Sequence, residues 1–307
     1  MRISAPLTAL GHIVRDYVAP FLFAVTAVIA WRFDDAIANN SSITSAALLQ
    51  PESEEDDRAI SGTMIGGLDL AAGTESEQRV ASLLYADDFV AESDNWQFEG
   101  TGASFSGGKL HMYGRKVSAW FKQKLSGNVM VEYDIEMLRS ALTRSPTKTE
   151  SMNSFFMATD PANPAHFFAG SAARSDGTFS KYDGLDLYYV GYGSNQNTTS
   201  RFRKYKNGVR QILTEYTVQP NLLDEPGRTY HVRQVQYEGT FEYWVDENDG
   251  RGLRKIVDYN DATDGDDNGP PYTSGYFAFR GAGGNYNADN FRVYRLEPRA
   301  NVSSPSP

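Results

Sequence analysis

The chain has 307 residues, no cysteine and a net charge of −10, with 18 Tyr, 17 Phe and 27 Gly. The missing thiols exclude disulfide staples and thiolate metal sites, and an acidic chain of pI near 5.0 is poorly suited to a nucleic-acid backbone. Abundant aromatics and glycine, without long helix-forming runs, point to a β protein long enough for one large domain or two small ones.

Arg2 and Arg15 precede an apolar run, Val18–Trp31, broken only by Pro20 and Thr26. The run is shorter than the roughly 20 apolar residues of a membrane-spanning helix and fits the apolar core of a secretory signal. Ala36-Ile37-Ala38 supplies a small-x-small cleavage pattern, although Arg32, Asp34 and Asp35 lie between core and site. Residues 1–38 are therefore read as a signal peptide or as an uncleaved membrane anchor that would tether the protein. Either places the remainder outside the cytoplasm: secreted, periplasmic or membrane-anchored. Residues 39–82 read as a disordered acidic linker, because segments such as Pro51–Arg58 (PESEEDDR) bury too little apolar surface to offset their ordering entropy.

From residue 83 to 296 short alternating runs recur with turn signals between them, the pattern of an antiparallel sandwich or barrel. Expected strands are Lys109–Tyr113, Ala119–Lys122, Val129–Leu138, Ser154–Thr159, Leu185–Tyr192, Thr199–Tyr205, Thr229–Tyr237, Thr240–Asp246, Arg254–Tyr259, Gly275–Arg280 and Asn287–Arg295. Asn207-Gly208 and Glu238-Gly239 read as tight hairpin turns. Arg139–Glu150 and Asp261–Pro271 read as polar surface loops, and residues 297–307 as a disordered tail.

Tyr188–Tyr205 (YYVGYGSNQNTTSRFRKY) stands out as two strands joined by a polar loop. With a side-chain period of two, Arg201, Arg203 and Tyr205 point one way and Phe202 and Lys204 the other. Arginines framed by tyrosines and asparagines suit an anionic, hydroxyl-rich ligand such as an acidic sugar. Abstracting the proton beside a uronate carboxylate requires that carboxylate to be neutralised and a base to be at hand. Arg201, Arg203, Tyr192, Tyr205, Asn195 and Asn197 offer such groups within the hairpin, and Asn153 joins from the strand before it. His231 and Arg233 share a face of a later strand and are a second candidate base and clamp; Tyr189, Tyr205 and Arg280 are candidate subsite residues. A guanidinium near a tyrosine would favour its phenolate.

Three stretches carry a family resemblance: Ala86–Met112 (ADDFVAESDNWQFEGTGASFSGGKLHM), Met157–Pro161 (MATDP) and Gly275–Leu296 (GYFAFRGAGGNYNADNFRVYRL). Over residues 85–296 the chain resembles the concanavalin-A-like, jelly-roll sandwich families of bacterial carbohydrate-active proteins, and among them a subfamily of unassigned function found among genes for uronate-rich glycans. The resemblance implies an all-β sandwich and a saccharide partner. It also implies a structural calcium between the acidic start (Asp87 or Asp88) and Asp289, oxygen ligands that this ion prefers. The string Glu132-Tyr133-Asp134-Ile135-Glu136 resembles that of laminarinase-like retaining glycosidases, which need two carboxyl groups about 5–5.5 Å apart; here it lacks their flanking tryptophan and glycine. The plainer reading is an ordinary strand with Val131, Tyr133 and Ile135 inward and the three acids in water. The leading expectation is an extracellular polysaccharide lyase acting on a uronate-containing glycan. Alternatives are a non-catalytic carbohydrate-binding module or lectin, and a hydrolase using Glu132 and Glu136. No histidine pair has metal-ligand spacing and no G-x-S-x-G is present.

Overall fold

Alternation along the strands sorts the side chains of this chain into two antiparallel sheets packed face to face. A computed structural model describes residues 68–69, 79–138, 151–193, 199–217, 226–263 and 269–298. The segment read as signal or anchor, most of the linker, the loop over 139–150 and the tail beyond Pro298 lie outside the described residues.

The strands are Leu68–Asp69 (β1), Arg79–Asp87 (β2), Trp96–Gly100 (β3), Ala103–Ser106 (β4), Lys109–Tyr113 (β5), Val117–Phe121 (β6), Leu125–Ser126 (β7), Val129–Leu138 (β8), Met152–Thr159 (β9), Asp186–Gly193 (β10), Thr199–Lys206 (β11), Val209–Thr217 (β12), Thr229–Tyr237 (β13), Thr240–Asp246 (β14), Arg254–Asn260 (β15), Ser274–Gly281 (β16) and Asn285–Pro298 (β17). The first sheet runs β1-β2-β17-β8-β13-β14-β15, with the β4–β5 hairpin attached to β17. The second runs β12-β11-β10-β9-β16-β6-β3, with β7 beside β16. The expected all-β antiparallel sandwich is the observed architecture. β1, β2, β3, β4, β7 and β12 are strands outside the expected set, and β1 and the Arg79–Ser82 part of β2 fall where the composition reads as linker.

The interior is set by parity. Val129, Val131, Tyr133, Ile135 and Met137 of β8 and Phe241, Tyr243 and Val245 of β14 pack against Phe277 and Phe279 of β16 and Tyr188, Val190 and Tyr192 of β10. Phe202 stacks on Phe241 across the two sheets at 4.3 Å. Each such side chain contributes about 1.5–3 kcal/mol by leaving water. Both hairpin expectations hold: Asn207-Gly208 (φ 50° and 79°) and Glu238-Gly239 (φ 49° and 86°) take the left-handed backbone of type I′ turns.

Residues 160–185, between β9 and β10, leave the sheet and cover part of the second sheet's outer face. Short helical turns at Phe167–Gly170, Ser171–Arg174 and Phe179–Tyr182 bring Phe167, Tyr182 and Leu185 onto Trp120, Phe155, Tyr189 and Tyr205, a second apolar cluster. Arg174 latches this cap. Its Nε donates to Glu99 Oε1 at 3.0 Å, Nη1 to Asp160 Oδ2 at 3.3 Å and Nη2 to the Phe167 carbonyl at 3.4 Å. Trp120 Nε1 donates to the other Glu99 oxygen at 2.8 Å. All three charged groups are buried, so the guanidinium neutralises two carboxylates that water cannot reach.

A second buried pair corrects the reading of Asp261 as part of a solvated loop. Lys204 faces inward and donates to Asp261 Oδ2 at 2.6 Å and to the carbonyls of Gly269 and Pro270 at 3.0 and 2.9 Å, while the Tyr188 hydroxyl also donates to Asp261. An inward lysine requires a counter-charge, and that requirement draws Asp261 into the sandwich edge.

Removing one member of a buried charge network leaves the others unpaired, at a cost of about 3–5 kcal/mol. Arg174→Ala should therefore lower the free energy of unfolding by about that amount in a denaturant titration. A loss below about 1 kcal/mol would mean that the cap is held by its aromatics alone.

Candidate functional site

The outer face of the second sheet gathers six of the predicted binding residues. Strand register sets Arg203 opposite Tyr189 and Tyr189 opposite Phe155. In the next row, Arg201 faces Gly191, Gly191 faces Asn153, Asn153 faces Arg280, and Arg280 faces Ser118. Tyr205 pairs with Leu187 on the same face. Arg201, Arg203 and Tyr205 thus share a face, with Phe202 and Lys204 turned inward, as the alternation predicted. Asn195 and Asn197 lie outside the described residues.

The six differ in what they can reach. Arg280 is fully buried: Nη1 donates to the Val117 carbonyl at 2.9 Å and Ser118 Oγ at 3.2 Å, and Nη2 to the carbonyls of Gly177 at 2.8 Å and Arg115 at 3.3 Å. It staples the cap to β6 instead of meeting a ligand, which corrects its assignment as a subsite residue; burial lowers its pKa. Asn153 is buried with Nδ2 on Ser151 Oγ at 3.2 Å, and its Oδ1 has no hydrogen-bond partner. Tyr189 and Tyr205 lie beneath the arginines, ring centroids 6.0 Å apart, with Phe179 of the cap against both. Arg210 is tied to Asp183 at 2.5 Å. Arg203 differs: half-buried at the rim of the cap, its guanidinium lies 5.5 Å from the Tyr189 ring centre, and no carboxylate among the described residues pairs with it. The expectation of lowered tyrosine pKa values fails here. Burial raises Tyr189 and Tyr205 more than the neighbouring arginines lower them, so both stay protonated.

The candidate bases are not on this face. Tyr192 has the parity of Tyr188 and Val190 and points into the interior beside Tyr243, its hydroxyl unpartnered and its pKa raised by burial. His231 and Arg233 belong to β13 and stand on the outer face of the first sheet, on the far side of a sandwich about 10 Å thick. His231 Nδ1 lies 2.8 Å from Asp134 Oδ1 and Nε2 lies 3.7 Å from Glu132 Oε1. These contacts, that with Asp134 first, push His231 up to about 9, so it is a cation at neutral pH and no base. Arg233 Nε donates to Glu132 Oε1 at 2.6 Å. The constellation required for elimination is therefore divided among two outer faces and the core.

The acidic string is an ordinary strand with Val131, Tyr133 and Ile135 inward. Burial alone would raise Glu132, but His231 and Arg233 outweigh it and its pKa falls. Asp134 is lowered in the same way by His231 and Asn290, and Glu136 by Lys109 at 2.6 Å and Asn287 at 2.9 Å. A retaining glycosidase needs one carboxyl held protonated, and these environments act in the opposite direction.

The calcium expectation also meets a poor fit. Asp87 accepts from Tyr85 Oη at 2.9 Å, Trp96 Nε1 at 3.0 Å and the Phe89 backbone at 2.9 Å. Asp88 pairs with Arg292, and Asp289 accepts from the Asn290 backbone at 2.7 Å. Among the described residues no three acidic or histidine side chains converge where a metal ion could sit.

With this geometry in place, comparison with known proteins adds a family. The model of a domain of unknown function, DUF6250, matches residues 113–291. The chain belongs to the DUF6250 family. No curated protein matches it. Among solved structures, a protein of unknown function with a galectin-like fold from Bacillus subtilis is 18% identical, with a TM-score of 0.55 over 71% of this chain and 97% of that one. Arcelin-5, a lectin-like defence protein from Phaseolus vulgaris, is 9% identical, with a TM-score of 0.46 over 72% and 100% of the two chains. Winged bean acidic lectin, solved with methyl-α-D-galactose, is 9% identical, with a TM-score of 0.47 over 69% and 98%. These likenesses concern the fold.

The sequence reading missed the Glu99–Arg174–Asp160 latch, whose members are far apart in the chain and form no local pattern. For His231 the sign of the pH effect is fixed by its raised pKa: the stabilisation is complete below the ordinary value of 6.5 and is lost as pH rises through about 9. Proton NMR of the imidazole should accordingly give a midpoint near 9, and His231→Gln should flatten the alkaline part of the stability curve. A midpoint at the ordinary value would contradict the Asp134–His231–Glu132 arrangement.

Proposed function

We propose that this DUF6250 domain is a non-catalytic, lectin-like carbohydrate-binding module, held outside the cytoplasm, that takes an acidic glycan on the outer face of its second sheet. The observation that carries the proposal is Arg203, a guanidinium at the cap rim with no carboxylate partner among the described residues. A planar fork of donors suits a uronate carboxylate, which it can hold through two parallel hydrogen bonds. Arg201 lies two residues away on the same strand face, and Tyr189 supports the guanidinium from below. A galectin-like fold, as in the Bacillus protein, is in keeping with a saccharide partner.

Binding is favoured over elimination because, among the described residues, no group beside Arg203 is disposed to remove a proton. Tyr189 and Tyr205 are raised in pKa, Tyr192 is in the core, and His231 is protonated on the other sheet. Affinity electrophoresis in gels containing polygalacturonate tests the site: Arg203→Ala should weaken retardation about tenfold, equivalent to about 1.4 kcal/mol, and Arg203→Lys should restore part of it. Incubation of the wild-type protein with the same polymer should produce no ultraviolet absorbance from unsaturated uronate ends. Wild-type retardation that Arg203→Ala leaves unchanged would overturn the site, and absorbance that grows with time would overturn the non-catalytic reading.

A further inference from the structure

The opposite side of the sandwich holds a group of side chains that the proposed acidic-glycan site does not use. Among the described residues Tyr113 is the aromatic that stands exposed, at 41% of its full area. It projects from β5 on the same face as Lys109 and His111, and the register places His111 beside Asn287 of β17 and Asn287 beside Glu136 of β8. The ring is held in position: its hydroxyl lies 3.0 Å from His111 Nδ1 and 3.2 Å from Asn287 Oδ1. His111 is fixed in turn by Asn287 Oδ1 at 2.6 Å and by the Ser106 carbonyl at 3.0 Å.

Glu136 takes both of its hydrogen bonds, from Lys109 Nζ and Asn287 Nδ2, on one oxygen, Oε2. Among the described residues its other oxygen has no partner, and the two side chains keep 27% and 37% of their exposure. A free carboxylate oxygen, an ammonium with protons to spare and an exposed aromatic face thus lie side by side. Their charges cancel, so nothing here selects for a charged ligand. We infer that Tyr113, Glu136 and Lys109 form a second saccharide subsite, for a neutral sugar, on the outer face of the first sheet. Glu136 Oε1 accepts from a sugar hydroxyl, Lys109 donates to a neighbouring one, and the Tyr113 ring covers the apolar C–H face of the pyranose. His111 and Asn287 position the ring before the ligand arrives, which reduces the ordering cost of binding. Because the two faces belong to different sheets, one molecule could engage two chains of a mixed glycan and gain by effective concentration.

Affinity electrophoresis in gels containing galactan, mannan or dextran provides the test, with polygalacturonate run in parallel. At least one neutral polymer should retard the wild-type protein. Tyr113→Ala and Glu136→Gln should each weaken that retardation about tenfold and leave the polygalacturonate shift unchanged, while Arg203→Ala does the reverse. Tyr113 is exposed and Glu136→Gln keeps its shape, so melting temperatures close to wild type are expected. Failure of all three neutral polymers to retard the wild-type protein would overturn the subsite, whatever polygalacturonate does. So would a Tyr113→Ala protein of unchanged melting temperature that is retarded like wild type, or that loses acidic and neutral polymers alike.

Discussion

Burying a charge is affordable only beside an opposite one, and the course of the chain over the second sheet follows from that constraint at Arg174. Glu99 at the end of β3 and Asp160 after β9 would each be costly to remove from water alone. The segment 160–185 supplies one guanidinium that meets both, at 3.0 and 3.3 Å. Once that contact forms, the aromatics below it, Trp120, Phe155 and Tyr189, become a second core. Arg280, which would otherwise be a surface arginine, becomes a staple between β6 and the cap. Among the described residues, what keeps some exposure on this face is the β11–β12 edge, where Arg201, Arg203 and Arg210 are half-buried. The latch need not be more stable than an apolar packing of equal volume; its effect is to decide which part of the face solvent reaches.

That division bears on how much of the molecule was legible in its sequence. Strands with strict alternation and a solvated side were read with their observed bounds, as for β8, β13 and β14, because a two-residue period is a local property. The two type I′ turns were equally local. β2 was missed, since its apolar residues adjoin an acidic stretch of indistinct composition. β12 was missed because edge strands bury little and Val209 and Ile212 remain exposed. Parity placed Arg201, Arg203 and Tyr205 together correctly, yet proximity within one hairpin misled for Tyr192. It is three residues from Tyr189 on the same strand and points to the other side of the sheet.

Sheet membership is the non-local part. Nothing in the neighbourhood of His231 indicates that β13 pairs with β8, not with β10, and the difference separates it from Arg203 by the thickness of the sandwich. The same pairing gives His231 two carboxylates, so one topological fact removes it from the arginine face and also makes it a cation. Asp261 shows the converse. Its loop was read as solvated from composition, whereas the unusual residue was Lys204, an inward lysine beside Phe202 that required a buried partner somewhere in the chain.

The two outer faces end with different electrostatics, which matters for a protein of net charge −10. On the first sheet each member of the acidic string has a cation: Arg233 for Glu132, His231 for Asp134 and Lys109 for Glu136. On the second, Arg203 is left over. A polyanion approaching this chain is repelled at long range, but at physiological salt that field decays over about 8 Å, and beyond it the net charge counts for little. Within that distance the local surplus decides. Under the proposed function, added salt would act in two directions, relieving the distant repulsion while weakening the contact with Arg203. Under the proposed function, such a face would select through geometry at one guanidinium more than through attraction by the whole surface, the way in which an acidic protein would hold an acidic ligand.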